Sequence, residues 1–281
     1  MRPLSERPAN LTRHSRSIPR KLVGEGALHL LPIYGLLRLS DLAREGIEHS
    51  GSYQFADHIY RDQPSGRTPI GRWLDALLLS LPAAHAFRRR YQRAAGLMRT
   101  MAERHPPTGD LLRVLAVPCG LPRDIVDVAA QMSAANPRAL ERIEYHGLDI
   151  DPHVLEQAKR LTFARGLGST RFHLGNALNG ADYPSCRFHL VVSTGLGDFL
   201  SDDDLATFFR QVRCALLPGG TFYTSASDRD WRSDMLMRMA ELTPHYRHAG
   251  DLARILRSIG WSRFEITCDP TGLQSFVTAV K

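Results

Sequence analysis

Four places along the chain put polar or charged side chains where an α/β sheet could use them. Pro118-Cys119-Gly120 follows the apolar run Val114-Leu-Ala-Val117 and precedes a helix-periodic stretch containing Ile125, Val126, Val128 and Ala129. A strand, a glycine turn and a helix in that order build a nucleotide-sized pocket at the strand's carboxyl end. Arg123 falls in the first turn of that helix, where the dipole disfavours a cation. Either an anion lies near it or its guanidinium is simply solvated. Asp149, with Ile150 after it, ends a second strand-like segment, Ile143-Glu-Tyr-His-Gly-Leu-Asp149. A carboxylate at that tip can accept both hydroxyl protons of a ribose. The N-cap of the next helix is supplied by Asp151 ahead of Pro152, which leaves Asp149 free of that duty. Thr170–Ala177 and Phe188–Gly195 follow, ending in Asn176 and in Ser193-Thr194. Asn176 is equally readable as a turn residue or a ligand contact.

These residues need a sheet to position them. After the four strand-like segments, Leu216-Leu-Pro-Gly-Gly-Thr-Phe-Tyr223 reads as a helix end broken by Pro-Gly-Gly and passing into a strand. Phe264-Glu-Ile-Thr267 and Ser275–Val280 then form a hairpin about Asp269-Pro-Thr-Gly272. Before the sheet the pattern is helical. Residues 1–21 are expected to be a basic, flexible N-terminus, 22–106 a helical cap or lid, and 107–281 the α/β domain, with Pro106-Pro-Thr-Gly109 as the boundary. Within the cap, the helical spacing of 22–48 is expected to break near Pro32 and Gly35. Ser50–Ser52 reads as a linker and Gln63-Pro-Ser-Gly66 as a turn. Arg88-Arg89-Arg90 reads as a solvated basic turn after a core-facing helix, in preference to a membrane-touching surface.

In this order the segments of residues 108–281 resemble the class I S-adenosylmethionine-dependent methyltransferases. The resemblance implies a Rossmann-like α/β fold: a mostly parallel seven-stranded sheet with an antiparallel C-terminal hairpin strand. It also implies S-adenosylmethionine as cofactor. The methionine half would lie at Pro118, Cys119 and Gly120; Arg123, if an anion is what it meets, would face that half's carboxylate, and otherwise it is a solvated first-turn residue. The ribose would meet Asp149 and the adenine Asn176 and Ala177, with Ile150 also in the cofactor pocket. Ser193, Thr194 and Gly195, ending strand four, would complete the cofactor pocket. Ala116 stands where the family usually has an acid in strand one, Pro118 and Pro122 replace flanking glycines, and Asn176 replaces an Asp. Ser193–Asp204, and Asp230-Trp-Arg with Pro244-His-Tyr-Arg-His248, resemble a bacterial branch associated with fatty-acid methyl esters, including that of 3-hydroxypalmitic acid. Phe55–Gly66 with Gly71-Arg-Trp-Leu-Asp75 is similar to methyltransferase domains fused to α/β-hydrolase domains.

Methyl transfer from a sulfonium is an in-line displacement that needs alignment and exclusion of water. A carboxylate acceptor is already a deprotonated nucleophile, whereas an amine or hydroxyl needs a base. The acceptor-side candidates are Asp198, His58, Tyr60, Arg61, Tyr246 and Arg247. Each has a plain structural alternative: packing or a solvated helix face for His58 and Tyr60, a helix cap for Asp198, and closure of the segment before Asp251 for Tyr246 and Arg247. The Asn/Asp-Pro-Pro-Tyr string of many base N-methylating enzymes is absent after strand four, which counts against a nucleic-acid base. The expectation is a methyltransferase for a small, lipid-like acceptor, a fatty acyl carboxylate being the most specific choice, with the helical region closing over the pocket. The alternatives are an RNA or other nucleic-acid methyltransferase and a non-catalytic methyltransferase-fold binding protein. A nicotinamide dehydrogenase fits poorly, since the first turn lacks the required glycine spacing.

The net charge of +7 is unevenly placed. Residues 1–108 hold 17 Lys plus Arg against 9 Asp plus Glu, and residues 109–281 hold 19 against 20. The basic half, rich in arginine, suits an anionic partner such as an acyl carboxylate, phospholipid headgroups or an acidic carrier protein. No apolar run reaches the roughly twenty residues of a membrane span, and no apolar stretch follows the N-terminal arginines as in a secretory signal. Cys119, Cys186, Cys214 and Cys268 have neither metal-like nor redox-like spacing and read as reduced thiols of a cytoplasmic protein. No His is placed with Cys or Asp at metal-ligand spacing, so no metal is expected.

Overall fold

The computed structural model describes residues 31–48, 53–106, 109–135, 137–230 and 244–281, together with Val23, Gly24, Leu28 and Asp234. The expected flexible N-terminus, the Ser50–Ser52 linker and most of 231–243 lie outside the described residues. The chain divides into two compact units, Met1–Arg88 with Arg229–Pro244 and Arg89–Asp228 with His245–Lys281.

The first unit is helical: α1 (Leu31–Leu37), α2 (Asp41–Glu48), α3 (Tyr53–Arg61), α4 (Pro69–Leu79) and the start of α5 (Pro82–Arg104). Pro32 and Gly35 do not break α1. Pro32 sits in the first turn, where no helical N–H is lost, and the break falls at Arg38–Ser40. There Leu39 N–H and Ser40 N–H donate to Leu36 O and Leu37 O at 3.0 Å each. Gln63–Gly66 has no helix, strand or turn of its own, in place of the expected turn. Its geometry is set by Asp75, which is wholly buried. The Asp75 carboxylate accepts the Ser40 hydroxyl (2.5 Å) and the N–H groups of Leu42 (3.2 Å), Ser65 (2.9 Å) and Gly66 (2.8 Å). A Cβ at Gly66 would lie 2.3 Å from the Gly71 carbonyl carbon, so only glycine allows this approach. On α4, Leu74 and Leu79 are buried while Ile70, Trp73 and Leu77 are exposed. The expected core-facing helix therefore buries one apolar stripe and leaves another open. Nor is Arg88–Arg90 a solvated turn. It is helical, and Arg88 is buried, donating to Leu79 O at 3.0 Å and pairing with Asp62 at 3.0 Å.

The second unit carries the sheet: β1 (Leu112–Ala116), β2 (Ile143–Asp149), β3 (Thr170–Leu174), β4 (Phe188–Thr194), β5 (Leu216–Ser227), β6 (Arg263–Cys268) and β7 (Gln274–Val280). Its helices are α6 (Arg123–Ala135), α7 (Pro137–Leu140), α8 (Pro152–Phe163), α9 (Asp202–Ala215) and α10 (Ala249–Ser258), with the rest of α5. The strand order is β3-β2-β1-β4-β5-β7-β6. All pairs are parallel except β5–β7 and β6–β7. This is the Rossmann-like sheet with a closing antiparallel hairpin that the strand signals imply. Alternation along each strand gives the sheet two cores. Leu115, Val117, Val191 and Phe222 pack with Phe208, Phe209 and Val212 of α9 and Leu252 and Leu256 of α10. Val114, Ala116, Leu190 and Val192 pack with Ala94 and Met98 of α5 and Ile125, Val128 and Met132 of α6.

Pro218-Gly-Gly220 lies within β5 and not ahead of it. The β4–β5 register slips between Phe188↔Leu216 and Leu190↔Thr221, and the extra residues form a bulge. Gly219 adopts φ +76°, and the bulge is tied to Lys281 by Gly219 N–H to Lys281 O and Lys281 N–H to Gly220 O, both 3.0 Å. Among the described residues no helix is long and apolar enough to cross a membrane.

Candidate functional site

The strand order reverses at β1, whose neighbours are β2 and β4, and in open α/β sheets the crevice outside the carboxyl ends at such a point is where ligands bind. The chain beyond β1 is still held by the sheet: Val117 N–H donates to Val192 O and Cys119 N–H to Leu148 O, both at 2.9 Å. Gly120 then takes φ +51°, and a Cβ there would meet nothing within 4 Å, so the turn borders open space. Its N–H donates to Asp149 Oδ2 at 3.0 Å, while Asp151 N–H donates to Asp149 Oδ1 at 3.1 Å. Asp149 is 8% exposed. Burial pushes its carboxyl above the ordinary range, and these backbone donors pull against the shift. A carboxylate oxygen accepts two bonds, so each Asp149 oxygen keeps room for one hydroxyl of a vicinal diol. Asp151 caps α8 as expected, accepting His153 N–H at 2.8 Å.

The other residues expected around this crevice take several positions. Pro118 is half-buried after a cis Val117–Pro118 peptide, Cys119 is buried and Ile150 is 55% exposed beside Asp149. Arg123 is the first residue of α6. Its carbonyl accepts the Tyr91 hydroxyl at 3.0 Å, and burial lowers its guanidinium with Asp127 opposing. Asn176 shapes the loop after β3: its Oδ1 accepts Leu178 N–H at 2.9 Å, and its own N–H donates to Asp182 Oδ2 at 2.7 Å. Ala177 O accepts the Tyr183 hydroxyl at 2.8 Å. Ser193 is buried with a hydroxyl that has no partner among the described residues, Thr194 ends β4 half-buried, and Gly195 has φ +97°. A Cβ at Gly195 would lie 2.9 Å from Arg90 Nη2.

Three of the acceptor-side candidates gather at the β4–β5 end of the sheet. Asp198 is 4% exposed. One oxygen accepts Ser227 N–H at 2.9 Å and the other accepts the Ser227 hydroxyl at 2.9 Å and faces Arg90 Nη1 at 3.5 Å. Burial raises its carboxyl, and Arg90, the Ser227 donors and Arg247 oppose this. Arg247, 3% exposed, donates to Gly197 O and Leu200 O at 2.5 Å each and to Asp202 at 2.9 Å. Its guanidinium thus straps the turn after β4 to the start of α9. Tyr246 is half-buried next to it. His58 and Tyr60 belong to α3 in the first unit. His58 Nε2 lies 3.2 Å from both Gln63 O and Ser65 Oγ, and the Tyr60 ring tilts against Phe87 with centroids 5.9 Å apart. Arg61 ends that helix.

Sequence reasoning passed over three groups. Arg90 was submerged in a basic run, although its 3% exposure makes it the buried partner of Asp198. Ser227, at the end of β5, carries no motif. Asp124, the second residue of α6, is an ordinary first-turn acid by sequence. In the fold it is ringed by protein while part of its surface stays open, and burial raises its carboxyl to about 6.

An open sheet of this order, with a glycine turn bonded to an acid at the next strand tip, defines a Rossmann-like α/β protein. The chain belongs to the family described as "Putative methyltransferase", whose model matches residues 38–273. It is 23% identical over 239 residues to YnbC of Escherichia coli (strain K12), an uncharacterised protein. That match takes in 80% of this chain and 39% of YnbC, so the chain spans about two fifths of that relative's length. Among solved structures, a Bordetella parapertussis protein described as a possible exported protein superposes with TM-score 0.77 at 21% identity, covering 100% of this chain and 99% of that one. Magnesium protoporphyrin IX methyltransferase from Synechocystis PCC 6803, with bound S-adenosylhomocysteine, gives TM-score 0.52 at 12% identity over 80% of this chain and 93% of its own.

Proposed function

We propose that the chain is an S-adenosylmethionine-dependent methyltransferase acting on a small, lipid-like acceptor, with a fatty acyl carboxylate as the most specific choice. The observation that carries the cofactor assignment is the Gly120 N–H to Asp149 bond at the switch point, with one acceptor position left on each carboxylate oxygen. The residues fit the cofactor. Asp149 would hold the ribose, Gly120 and its neighbours would leave room for the methionyl half, and Ile150 would offer an apolar edge beside the adenine. The bound cofactor supplies a methyl group on a sulfonium, an activated leaving group. The chain's share is then to bind, align and exclude water.

The acceptor assignment draws on the candidate bases. Asp198 is occupied by Ser227 and Arg90, and Arg247 by backbone carbonyls. With these groups committed to the scaffold, an acceptor that needs no deprotonation fits best, and a carboxylate is one. The arginine-rich N-terminal region suits an anionic partner, such as an acidic carrier or the membrane surface that presents the acceptor. The test is calorimetric titration of S-adenosylhomocysteine into the full chain and its Asp149→Ala variant. Micromolar binding lost in the variant supports the cofactor site. Absence of binding by the folded parent overturns it.

A further inference from the structure

The helical unit carries an apolar face that its own core leaves uncovered. On α4, Leu74 and Leu79 are buried, while Ile70, Trp73 and Leu77 recur at helical spacing on the open side, Trp73 at 62% exposure. A helix that is apolar on both sides has a second medium to meet besides its core. On α1, Tyr34 and Leu37 are buried and Ile33 and Leu36 are exposed, with Leu39 exposed just beyond. The two helices form one pair: a Cβ at Gly71 would lie 2.2 Å from Leu39 O, and Leu78 packs against the cluster of Tyr34, Leu37 and Ile47. The exposed charges on this pair are of one sign, those of Arg38, Arg67 and Arg72. Asp75 is the one acid in the stretches 31–40 and 67–80, and its carboxylate is turned inwards to Ser40, Leu42, Ser65 and Gly66.

We propose that this face docks on an anionic phospholipid bilayer, with Ile70, Trp73 and Leu77 entering the boundary between headgroups and acyl chains and Arg67 and Arg72 meeting the phosphates. An interfacial helix has this make-up: aromatic and branched apolar side chains with arginines beside them. Tryptophan suits the boundary, because its ring is apolar and its N–H is not. Shape points the same way. Ile70, Trp73 and Leu77 stand out as a ridge on a single helix. Lipid yields to a ridge, whereas a protein partner needs a groove to receive it. A second copy laid on the same face would set arginine against arginine, with no exposed acid in either stretch to answer it. The docking goes beyond methyl transfer and does not depend on it. For a lipid-like acceptor it would hold the chain where that acceptor is concentrated.

The experiment is sedimentation of the full chain with vesicles of mixed phosphatidylcholine and phosphatidylglycerol, and with vesicles of phosphatidylcholine alone. The parent should bind the mixed vesicles. Trp73→Ser combined with Leu77→Ser should weaken this about tenfold or more, since two large apolar side chains no longer leave water. Arg67→Gln combined with Arg72→Gln should cost about thirtyfold on the mixed vesicles at low salt and little on the neutral ones. All four positions are exposed, so these variants should melt with the parent. A second readout leaves the fold nearly untouched. The emission lost in Trp73→Phe is Trp73's own, and lipid brominated on its acyl chains should quench that share. No binding by the folded parent, equal binding by parent and both variants, or Trp73 emission unquenched on bound vesicles would overturn the assignment. A parent that binds no vesicle but self-associates, in a way that Trp73→Ser with Leu77→Ser abolishes, would overturn it in favour of a second copy. The cofactor titration needs no lipid, so failure of the docking and failure of the methyltransferase reading are told apart.

Discussion

Replacing Asp198 by alanine separates a scaffold role from a catalytic one. The side chain is almost fully buried, and its loss removes the acceptor of two Ser227 bonds at 2.9 Å and the carboxylate facing the 3%-exposed Arg90. Breaking a buried ion pair from one side costs about 3–5 kcal/mol, because the remaining charge stays in a poorly solvated place. For a chain of this size each kcal/mol moves the melting temperature by about 2–4 °C, so Asp198→Ala should melt about 10 °C or more below the parent. Asp198→Asn keeps an acceptor for Ser227 and should fall between the two. Differential scanning calorimetry gives the melting temperatures. Titration with S-adenosylhomocysteine at a temperature where the variant is folded should find affinity within about threefold of the parent, since Asp198 belongs to the β4–β5 end and not to the Gly120–Asp149 turn. A variant that melts with the parent but has lost methyl transfer would refute this reasoning and return Asp198 to the reacting atoms.

Two further perturbations follow from burial and from space. Asp75→Ala should destabilise the helical unit by about 3 kcal/mol or more, because four donors lose their acceptor; chemical denaturation monitored on that unit measures it. Burial raises the Asp75 carboxyl, but the Ser40 hydroxyl and the Ser65, Leu42 and Gly66 N–H groups outweigh this and leave it lowered. Its contribution is thus present above the ordinary carboxylate range and lost as pH falls through the lowered value. Acid titrations of parent and variant should converge at the acid end, and parallel curves would contradict the assignment. Gly147→Ala would place a Cβ 2.7 Å from Phe172 Cδ1 and 2.9 Å from Cys119 Sγ. It should cost about 1–3 kcal/mol by overpacking and weaken S-adenosylhomocysteine through displacement of the turn, and unchanged values in both melting and titration would count against that coupling.

Much of the sheet was legible: Val114–Val117 is a buried apolar run before the Pro-Cys-Gly turn, and Ile143–Asp149 and Phe188–Thr194 are largely buried segments ending in a polar residue. Asp151-Pro152 marks a helix start by local bonding alone. What escaped the sequence depends on distant neighbours. Pro218-Gly-Gly220 has turn chemistry, yet its bonds to Lys281 make it a bulge inside β5. Arg88–Arg90 looks solvated until the packing of α5 buries its first and third members. Pro32 looks like a helix breaker, but its place in a first turn makes it harmless. At the site, Gly120 and Asp149 were readable from order and spacing. The field around Asp124 was not, because Tyr145 and Cys119 reach it from another strand and another turn.

The Asp75 carboxylate also has a kinetic consequence. Ser65 and Gly66 lie in a stretch with neither helix nor strand, where backbone amides ordinarily exchange with solvent almost at once. Here both donate to the carboxylate that also takes the α2 amide of Leu42. Their hydrogens can be released only when that shared acceptor lets go, so loop and helix should open as one cooperative unit. Amides of an irregular segment would then carry the slow exchange signature of the helix beside it, and the loop would be as durable as the structure it adjoins.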